Sequence, residues 1–127
     1  MFTITHSARN NTNAPLTLYP FAQISRTGRP QTSNLFILHE GAIGFFGEEG
    51  LNELDYDDLI DERVVSKQAA TGWLGITDKY WATAIIPPQD VSFSARFTGD
   101  SANDRAGEVF RGDYLLAGRA IAAGDET

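Results

Sequence analysis

Apolar residues recur along this chain mostly at every second position, the period of a β-strand with one buried face. At the start, Phe2, Ile4, His6 and Ala8 fall on one side and Thr3, Thr5, Ser7 and Arg9 on the other, so a half-exposed strand is predicted there. Asn10-Asn11-Thr12-Asn13-Ala14-Pro15 supplies turn chemistry, because Asn tolerates left-handed backbone and Pro fixes φ. A second strand from Leu16 to about Arg26 is expected to return antiparallel to the first. Pro20 inside it lacks an amide hydrogen, which restricts that strand to an edge or a bulge. Thr27 to Ser33 reads as a loop, and Leu35-Phe36-Ile37-Leu38 is uniformly apolar, as a central strand would be. Gly41, Gly44 and Gly47 punctuate Ile43, Phe45 and Phe46, which predicts a short strand with a close approach or bulge. Further on, Phe93, Ala95 and Phe97 alternate with Ser92, Ser94 and Arg96 and are assigned to the buried side. Gly99 to Asp104 is expected to be a loop. Val109-Phe110 and Tyr114-Leu115-Leu116 read as two short strands around a turn at Arg111-Gly112-Asp113, and the tail from Ala117 is expected to be poorly ordered or to complete a strand.

The densest pattern lies at residues 72–88, GWLGITDKYWATAIIPP. Trp73 to Thr77 and Tyr80 to Ile86 are rich in β-branched and aromatic residues and flank the polar pair Asp78-Lys79, so an antiparallel hairpin is predicted. Asp-Lys lacks the glycine of the best two-residue turns, so a longer loop around Thr77 and Tyr80 is equally open, and either gives one register: Ile76 faces Trp81, Leu74 faces Thr83, Thr77 faces Tyr80, Gly75 faces Ala82 and Trp73 faces Ala84. Aromatics then lie on both faces, which predicts a strand pair buried on both sides and the most buried element of the chain. Asp78 and Lys79 become an exposed ion pair at the tip. Pro87-Pro88 ends the second strand, since neither residue donates a ladder hydrogen bond. One helical turn is predicted, from Tyr56 to Ile60, with Asp55 as its cap and Leu54, Tyr56, Leu59 and Ile60 turned inward. The fold class is therefore all-β, mainly antiparallel, with one short helical turn.

Gly72-Trp73, then Asp78-Lys79-Tyr80-Trp81-Ala82-Thr83-Ala84, then Ile86-Pro87 resembles a segment of the large periplasmic domain of bacterial YidC/Oxa-type membrane protein insertases. Met1-Phe2-Thr3-Ile4-Thr5, Leu18-Tyr19-Pro20, Leu38-His39-Glu40-Gly41 and Leu54-Asp55-Tyr56-Asp57-Asp58-Leu59 fit the same family in the same order. The resemblance covers most of the chain to Pro88 and weakens afterwards. It implies a partial β-sandwich or β-supersandwich, similar in architecture to galactose-mutarotase-like domains, on the periplasmic face of the inner membrane. It implies a place between a first transmembrane helix and a membrane core that carries insertion itself through a hydrophilic, positively charged groove. On this reading residues 1–127 are one partial domain, a fragment that begins inside the domain and stops before its last strands. The implied role is accessory, with contacts to the rest of the insertase chain, to the Sec translocon and its accessory subunits, and to nascent inner-membrane proteins.

Composition narrows the chemistry. At 127 residues and 42% hydrophobic the chain is long enough for one core. A net charge of −7 argues against a nucleic-acid partner, which selects a basic face. Without Cys there is neither a disulfide nor a thiolate metal site. No run approaches the ~20 apolar residues that span a bilayer, and the N-terminus lacks a basic segment followed by an apolar one.

No catalytic, cofactor-binding or metal-binding set is assembled from the sequence, and no cofactor is expected. His6 and His39 are the only imidazoles, and Glu40, next to His39, would point to the opposite face of a strand. The acidic run from Glu48 to Glu62 lacks the alternating oxygen ligands and fixed glycine of a calcium loop and reads as a solvated face. Gly41, Gly44 and Gly47 do not match a phosphate-cradling fingerprint. Asn10-Asn11-Thr12 and Arg111-Gly112-Asp113 spell a glycosylation acceptor and an adhesion tripeptide, each more simply explained as a turn. Trp73, Tyr80 and Trp81 are assigned to the core, the other reading being a stacking platform. The residues singled out are thus Gly72, Trp73, Asp78, Lys79, Tyr80, Trp81 and Pro87, as a structural motif. Two alternatives to the insertase reading stay open: a carbohydrate-binding β-sandwich module, which needs an exposed aromatic platform, and a mutarotase-like sugar epimerase, which needs His6 or His39 beside a carboxylate in a cleft. A further expectation concerns Phe2, Ile4, Phe93 and Phe97, placed at uncovered apolar surface that invites self-association.

Overall fold

In the computed structural model, residues 1–29 and 39–127 are described, and among them ten strands and one α-helix form. The strands are β1 (Leu16–Leu18), β2 (Phe21–Thr27), β3 (Gly41–Phe46), β4 (Leu51–Asp55), β5 (Val64–Ala69), β6 (Gly72–Thr77), β7 (Ala82–Ile85), β8 (Phe93–Asp100), β9 (Val109–Leu116) and β10 (Arg119–Ile121). The helix α1 spans Tyr56–Glu62. The chain divides into two compact units, Phe21–Leu116 and a smaller one made of Met1–Pro20 with Ala117–Thr127. The fold is all-β, with every described strand pair antiparallel.

The larger unit holds two four-stranded sheets, in the orders β2-β9-β8-β5 and β4-β3-β6-β7. Its core is built from the alternation that the sequence displays. In β8, Phe93, Ala95 and Phe97 are all buried, as expected. Phe97 meets Phe46 of β3 edge-on at 6.0 Å between ring centroids, and Leu74 of β6 and Phe110 of β9 are fully enclosed. Burial of such side chains is worth about 1.5–3 kcal/mol each.

The helix forms where it was expected and for the expected reason. Asp55 accepts from the Asp58 amide at 2.8 Å while the Asp58 carboxylate accepts from the Asp55 amide at 3.1 Å, a reciprocal cap. Tyr56 and Leu59 are buried, and Leu54 and Ile60 are packed against the core. Close approach of this helix to β8 needs Gly99, where a Cβ would lie 2.6 Å from the Leu59 carbonyl oxygen.

Several expectations are corrected. Residues 2–8 form no strand; Arg9 makes an isolated bridge with Glu126, and Phe2 and Ile4 are exposed. Alternation states which side chains share a face, but a strand needs a partner's backbone. The segment from Leu16 to Arg26 is interrupted at Tyr19-Pro20, and its halves pair elsewhere, β1 with β10 and β2 with β9. Its second half does occupy a sheet edge. Arg111-Gly112-Asp113 is the middle of the continuous strand β9, with Asp113 buried and 3.2 Å from Arg96 Nη2, so the turn and the two short strands expected there are absent. The preceding strand β8 likewise runs on to Asp100, into residues read as loop. Of the two forms expected for the tail it takes the second, with Arg119–Ile121 forming β10 against β1 and Glu126 bridging Arg9. Phe93 and Phe97 lie on the inward side that the alternation assigns, but that side is covered by the core and not left as the uncovered surface expected there. The predicted central strand at Leu35-Phe36-Ile37-Leu38 lies outside the described residues.

In the smaller unit Asn10 is buried. Its side chain donates to the carbonyls of Ala14 at 2.8 Å and Ile121 at 2.9 Å and accepts from the Thr12 amide at 3.0 Å, so the glycosylation reading of this tripeptide meets an amide already fully engaged.

Candidate functional site

The hairpin at residues 72–88 exists, with a register and an exposure different from those expected. β6 pairs with β7 so that Ile76 faces Thr83 and Leu74 faces Ile85, which makes the connection a four-residue loop, 78–81. The register is shifted by two residues because the Asp78 amide donates to the Trp81 carbonyl at 2.8 Å, closing the loop around Lys79 and Tyr80. β6 is buried along most of its length, whereas β7 is an exposed edge. The hairpin is therefore half core and half surface.

Asp78 explains the loop's shape. Its side chain turns inward and is 3% exposed, instead of pairing with Lys79 in solvent as expected. A buried carboxylate is costly unless charges and donors surround it. Here Tyr56, the first residue of α1, donates its hydroxyl to Asp78 Oδ1. Arg26 of β2 brings Nη2 to 3.2 Å from Oδ2, an ion pair without hydrogen-bond alignment. Burial pushes the Tyr56 hydroxyl well above the ordinary tyrosine range, and accepting Asp78 and its charge push it the same way, against the opposing effect of Arg26. The Tyr56 ring is in turn held against Phe110 at 4.5 Å between centroids. Three separated stretches of sequence thus clamp one end of the loop.

The other end is presented outward. Tyr80 is 84% exposed and Trp81 43%, so neither is the core residue it was taken for. Trp73 on β6 is half-buried. The Arg26 guanidinium that faces Asp78 lies 5.3 Å from the Trp81 ring centroid, and Lys79 Nζ lies 5.0 Å from that of Tyr80. At the foot of the hairpin the Gln89 amide bridges Gly72, accepting from its N–H and donating to its carbonyl at 3.0 Å each, and donates to the Pro87 carbonyl at 2.8 Å. Gly72 and the buried Pro87 are thus the base of the hairpin, Asp78 its anchor, and Lys79, Tyr80 and Trp81 its exposed tip. Sequence reasoning placed Tyr56 inward but missed its part in this site, and missed those of Arg26 and Gln89. No local signal marks them, since each acts across a gap of seventeen residues or more.

The remaining candidates do different work. His39 donates through Nε2 to the Ala42 carbonyl at 2.8 Å, and the carboxylate that faces its Nδ1 is Glu53 at 4.0 Å, not the adjacent Glu40. His6 is exposed in the smaller unit. Much of the acidic run is used locally, with Asp55 and Asp58 as the helix cap, Glu49 3.4 Å from Lys67, and Asp57 on Arg29. Arg29 also grips Glu108 through Nε at 2.8 Å and Nη2 at 3.1 Å. Among the described residues no three His, Cys, Asp or Glu side chains converge as metal ligands. No described helix is long and apolar enough to cross a membrane.

Fold and site together define an antiparallel β-domain whose most distinctive feature is an exposed aromatic loop anchored in the core. The chain matches the family model described as the YidC periplasmic domain over residues 1–127, so it belongs to that family. The match includes the region beyond Pro88 in which the motifs weaken. Similar proteins include the "Membrane protein insertase YidC" of Nitrobacter hamburgensis, 42% identical over 124 residues, and that of Bradyrhizobium diazoefficiens, 44% identical over 124 residues; each alignment covers 98% of this chain and 20% of the relative. The protein of the same name from a Methylobacterium species is 43% identical over 133 residues, with 98% and 21% covered. The chain thus spans about a fifth of the length of these curated relatives.

Proposed function

We propose that this chain is a non-catalytic accessory part of a membrane protein insertase, on the periplasmic face of the inner membrane. It supports insertion and folding of inner-membrane proteins through contacts with other polypeptides, while insertion itself resides in a membrane core outside residues 1–127. Family membership supports the setting, and the named relatives are insertases. The observation that carries the contact role is the loop 78–81. A buried Asp78 clamped by Tyr56 and Arg26 is a costly device, and what it holds in place is a pair of outward aromatics. Exposed Tyr and Trp on a rigid support are the side chains that dominate protein contacts. Candidate partners are the rest of the insertase chain, the Sec translocon with its accessory subunits, and nascent inner-membrane proteins.

The exposed pair also meets one requirement of a carbohydrate platform, but each ring already has a cation near it, Lys79 at Tyr80 and Arg26 at Trp81. We therefore rank sugar binding second. Epimerase chemistry ranks lower still, because among the described residues the carboxylate facing His39 is that of Glu53, 4.0 Å away, with the other ring nitrogen committed to a backbone carbonyl. The test is photocrosslinking in inner-membrane vesicles, with a photoreactive phenylalanine analogue at Tyr80 of the full-length insertase and a radiolabelled inner-membrane protein under translation. Adducts to the translated chain or to neighbouring insertion components are expected. Absence of any adduct at Tyr80, with adducts forming at a membrane-core control position, would remove the contact role.

A further inference from the structure

The edge strand β7 differs from the other sheet edges of its unit. Among the described residues β2, β4, β5 and β7 lie at edges. β2 carries Arg26, β4 carries Glu53 and Asp55, and β5 carries Lys67, charges of the kind that protect an open edge from pairing. β7, Ala82-Thr83-Ala84-Ile85, carries none. It contains neither Pro nor an irregular residue pairing, and its first three residues are exposed. Small side chains leave its backbone open to close approach.

The direction of its unpaired groups follows from the ladder. The bond from the Asp78 amide to the Trp81 carbonyl makes residues 78 and 81 a hydrogen-bonded pair, and such pairs alternate along an antiparallel ladder. Thr83 and Ile85 therefore turn their amides and carbonyls to β6. The Thr83 oxygen indeed lies so close to β6 that a Cβ on Gly75 would be 2.4 Å from it. Ala82 and Ala84 turn theirs outward, away from the sheet. Beside this row stand Trp81, Tyr80 and Ile86, the last 56% exposed.

Charge selects the occupant. The chain carries −7, yet residues 79–89 contain one cation, Lys79, and no carboxylate, and the charge of Arg26 is matched by Asp78. Two copies of a chain with this charge repel each other, whereas a strand with a carboxylate at the Lys79 end is attracted. We infer that β7 accepts an extended apolar polypeptide segment by strand addition, its backbone pairing with the outward groups of Ala82 and Ala84, its apolar side chains beside Trp81 and Ile86, and an acidic residue near Lys79. This rests on the contact role proposed above and gives it a partner class and a geometry.

The probe is a fluorescein-labelled peptide of alternating Val and Thr with Asp at one end, titrated into the full-length insertase in detergent and followed by anisotropy. Ala84→Pro deletes one outward donor and leaves the β6 ladder intact, since Pro is tolerated on edge strands. It is expected to weaken binding about tenfold or more, by loss of a hydrogen bond and obstruction of the edge. Lys79→Glu is expected to weaken binding of the Asp peptide and not that of a copy with Lys in place of Asp. Should Ala84→Pro fail to fold, a peptide N-methylated at alternate residues carries the test: it is expected not to bind. Equal binding of methylated and unmethylated peptide, or wild-type binding by folded Ala84→Pro, would overturn strand addition. Concentration-dependent self-association abolished by Ala84→Pro would overturn the choice of occupant in favour of a second copy. If Tyr80 adducts persist while Ala84→Pro changes nothing, strand addition falls and the contact role stands; if the adducts themselves are missing, the contact role falls.

Discussion

Asp78 illustrates what a single residue contributes here. An aspartate between two strand-forming runs has the sequence look of a turn residue in water, but its carboxylate is inside, shared by Tyr56 and Arg26. Removing one partner of a buried pair leaves the other uncompensated. Asp78→Ala is accordingly expected to cost about 2–4 kcal/mol in a urea melt, and Tyr56→Phe, which removes only the hydroxyl, about 1 kcal/mol. A cost for Asp78→Ala within error of zero would show that the carboxylate does not hold the loop. Trp81→Ala, a change expected from the sequence to behave as a core truncation of about 3–5 kcal/mol, is now expected to cost about 1 kcal/mol, because the ring is half out of the protein and chiefly loses its contact with Arg26.

A second residue-scale expectation concerns acid. Arg29, hydrogen-bonded to Asp57, holds that carboxyl below its usual range. A depressed folded value means that the unfolded chain binds the proton first, so the pair's contribution is fully present above the ordinary carboxylate range and is lost as pH falls through the depressed value. Asp57 is largely exposed, so the effect is small. The difference in Tm between wild type and Asp57→Asn is expected to be constant above about pH 5 and to shrink below about pH 4. A difference that grows toward low pH would contradict this assignment.

Among the elements, those that depend on local chemistry were legible. The helix α1 was readable from Asp55 and the spacing of Tyr56, Leu59 and Ile60, and β8 from the alternation of Phe93, Ala95 and Phe97. Partnerships were not. The same alternation at Phe2 to Ala8 gives no strand, since no described backbone lies alongside to pair with it, and Arg111-Gly112-Asp113 is strand because β8 and β2 flank it on either side. The hairpin was legible as a hairpin, but its loop length, and with it the exposure of Tyr80 and Trp81, was set by the closing bond from Asp78 to Trp81. Contrasting substitutions on its two strands would display this asymmetry. Leu74→Ala in β6, a fully enclosed side chain, is expected to cost about 2–5 kcal/mol, and Thr83→Ser in β7 less than about 1 kcal/mol, by chemical denaturation. Similar costs for both would place β7 in the core after all.

For the whole molecule, membership of the YidC periplasmic domain family was carried by motifs in the sequence, and the match over residues 1–127 extends past the point where those motifs fade. Phe2 and Ile4 are exposed apolar residues as expected, whereas Phe93 and Phe97 are interior. Replacing Phe2 and Ile4 by Ser is therefore expected to change stability by less than about 0.5 kcal/mol while reducing self-association in light scattering. Unchanged scattering would show that this surface is not adhesive.

What the sequence by itself determined is everything encoded within a few residues: the all-β class from period-two alternation, the helix from its cap, the end of β7 from Pro87-Pro88, and the family from residues 72–88. Tertiary structure alone decided which strands pair, which hairpin strand is covered, and that Asp78 is an anchor. The anchoring depends on Arg26 and Tyr56 reaching Asp78 from other parts of the chain, and on Gln89 reaching the foot of the hairpin at Gly72. A pattern along the chain fixes which way a side chain points, but only the elements that arrive opposite it decide whether it meets water, an apolar neighbour or a counter-charge.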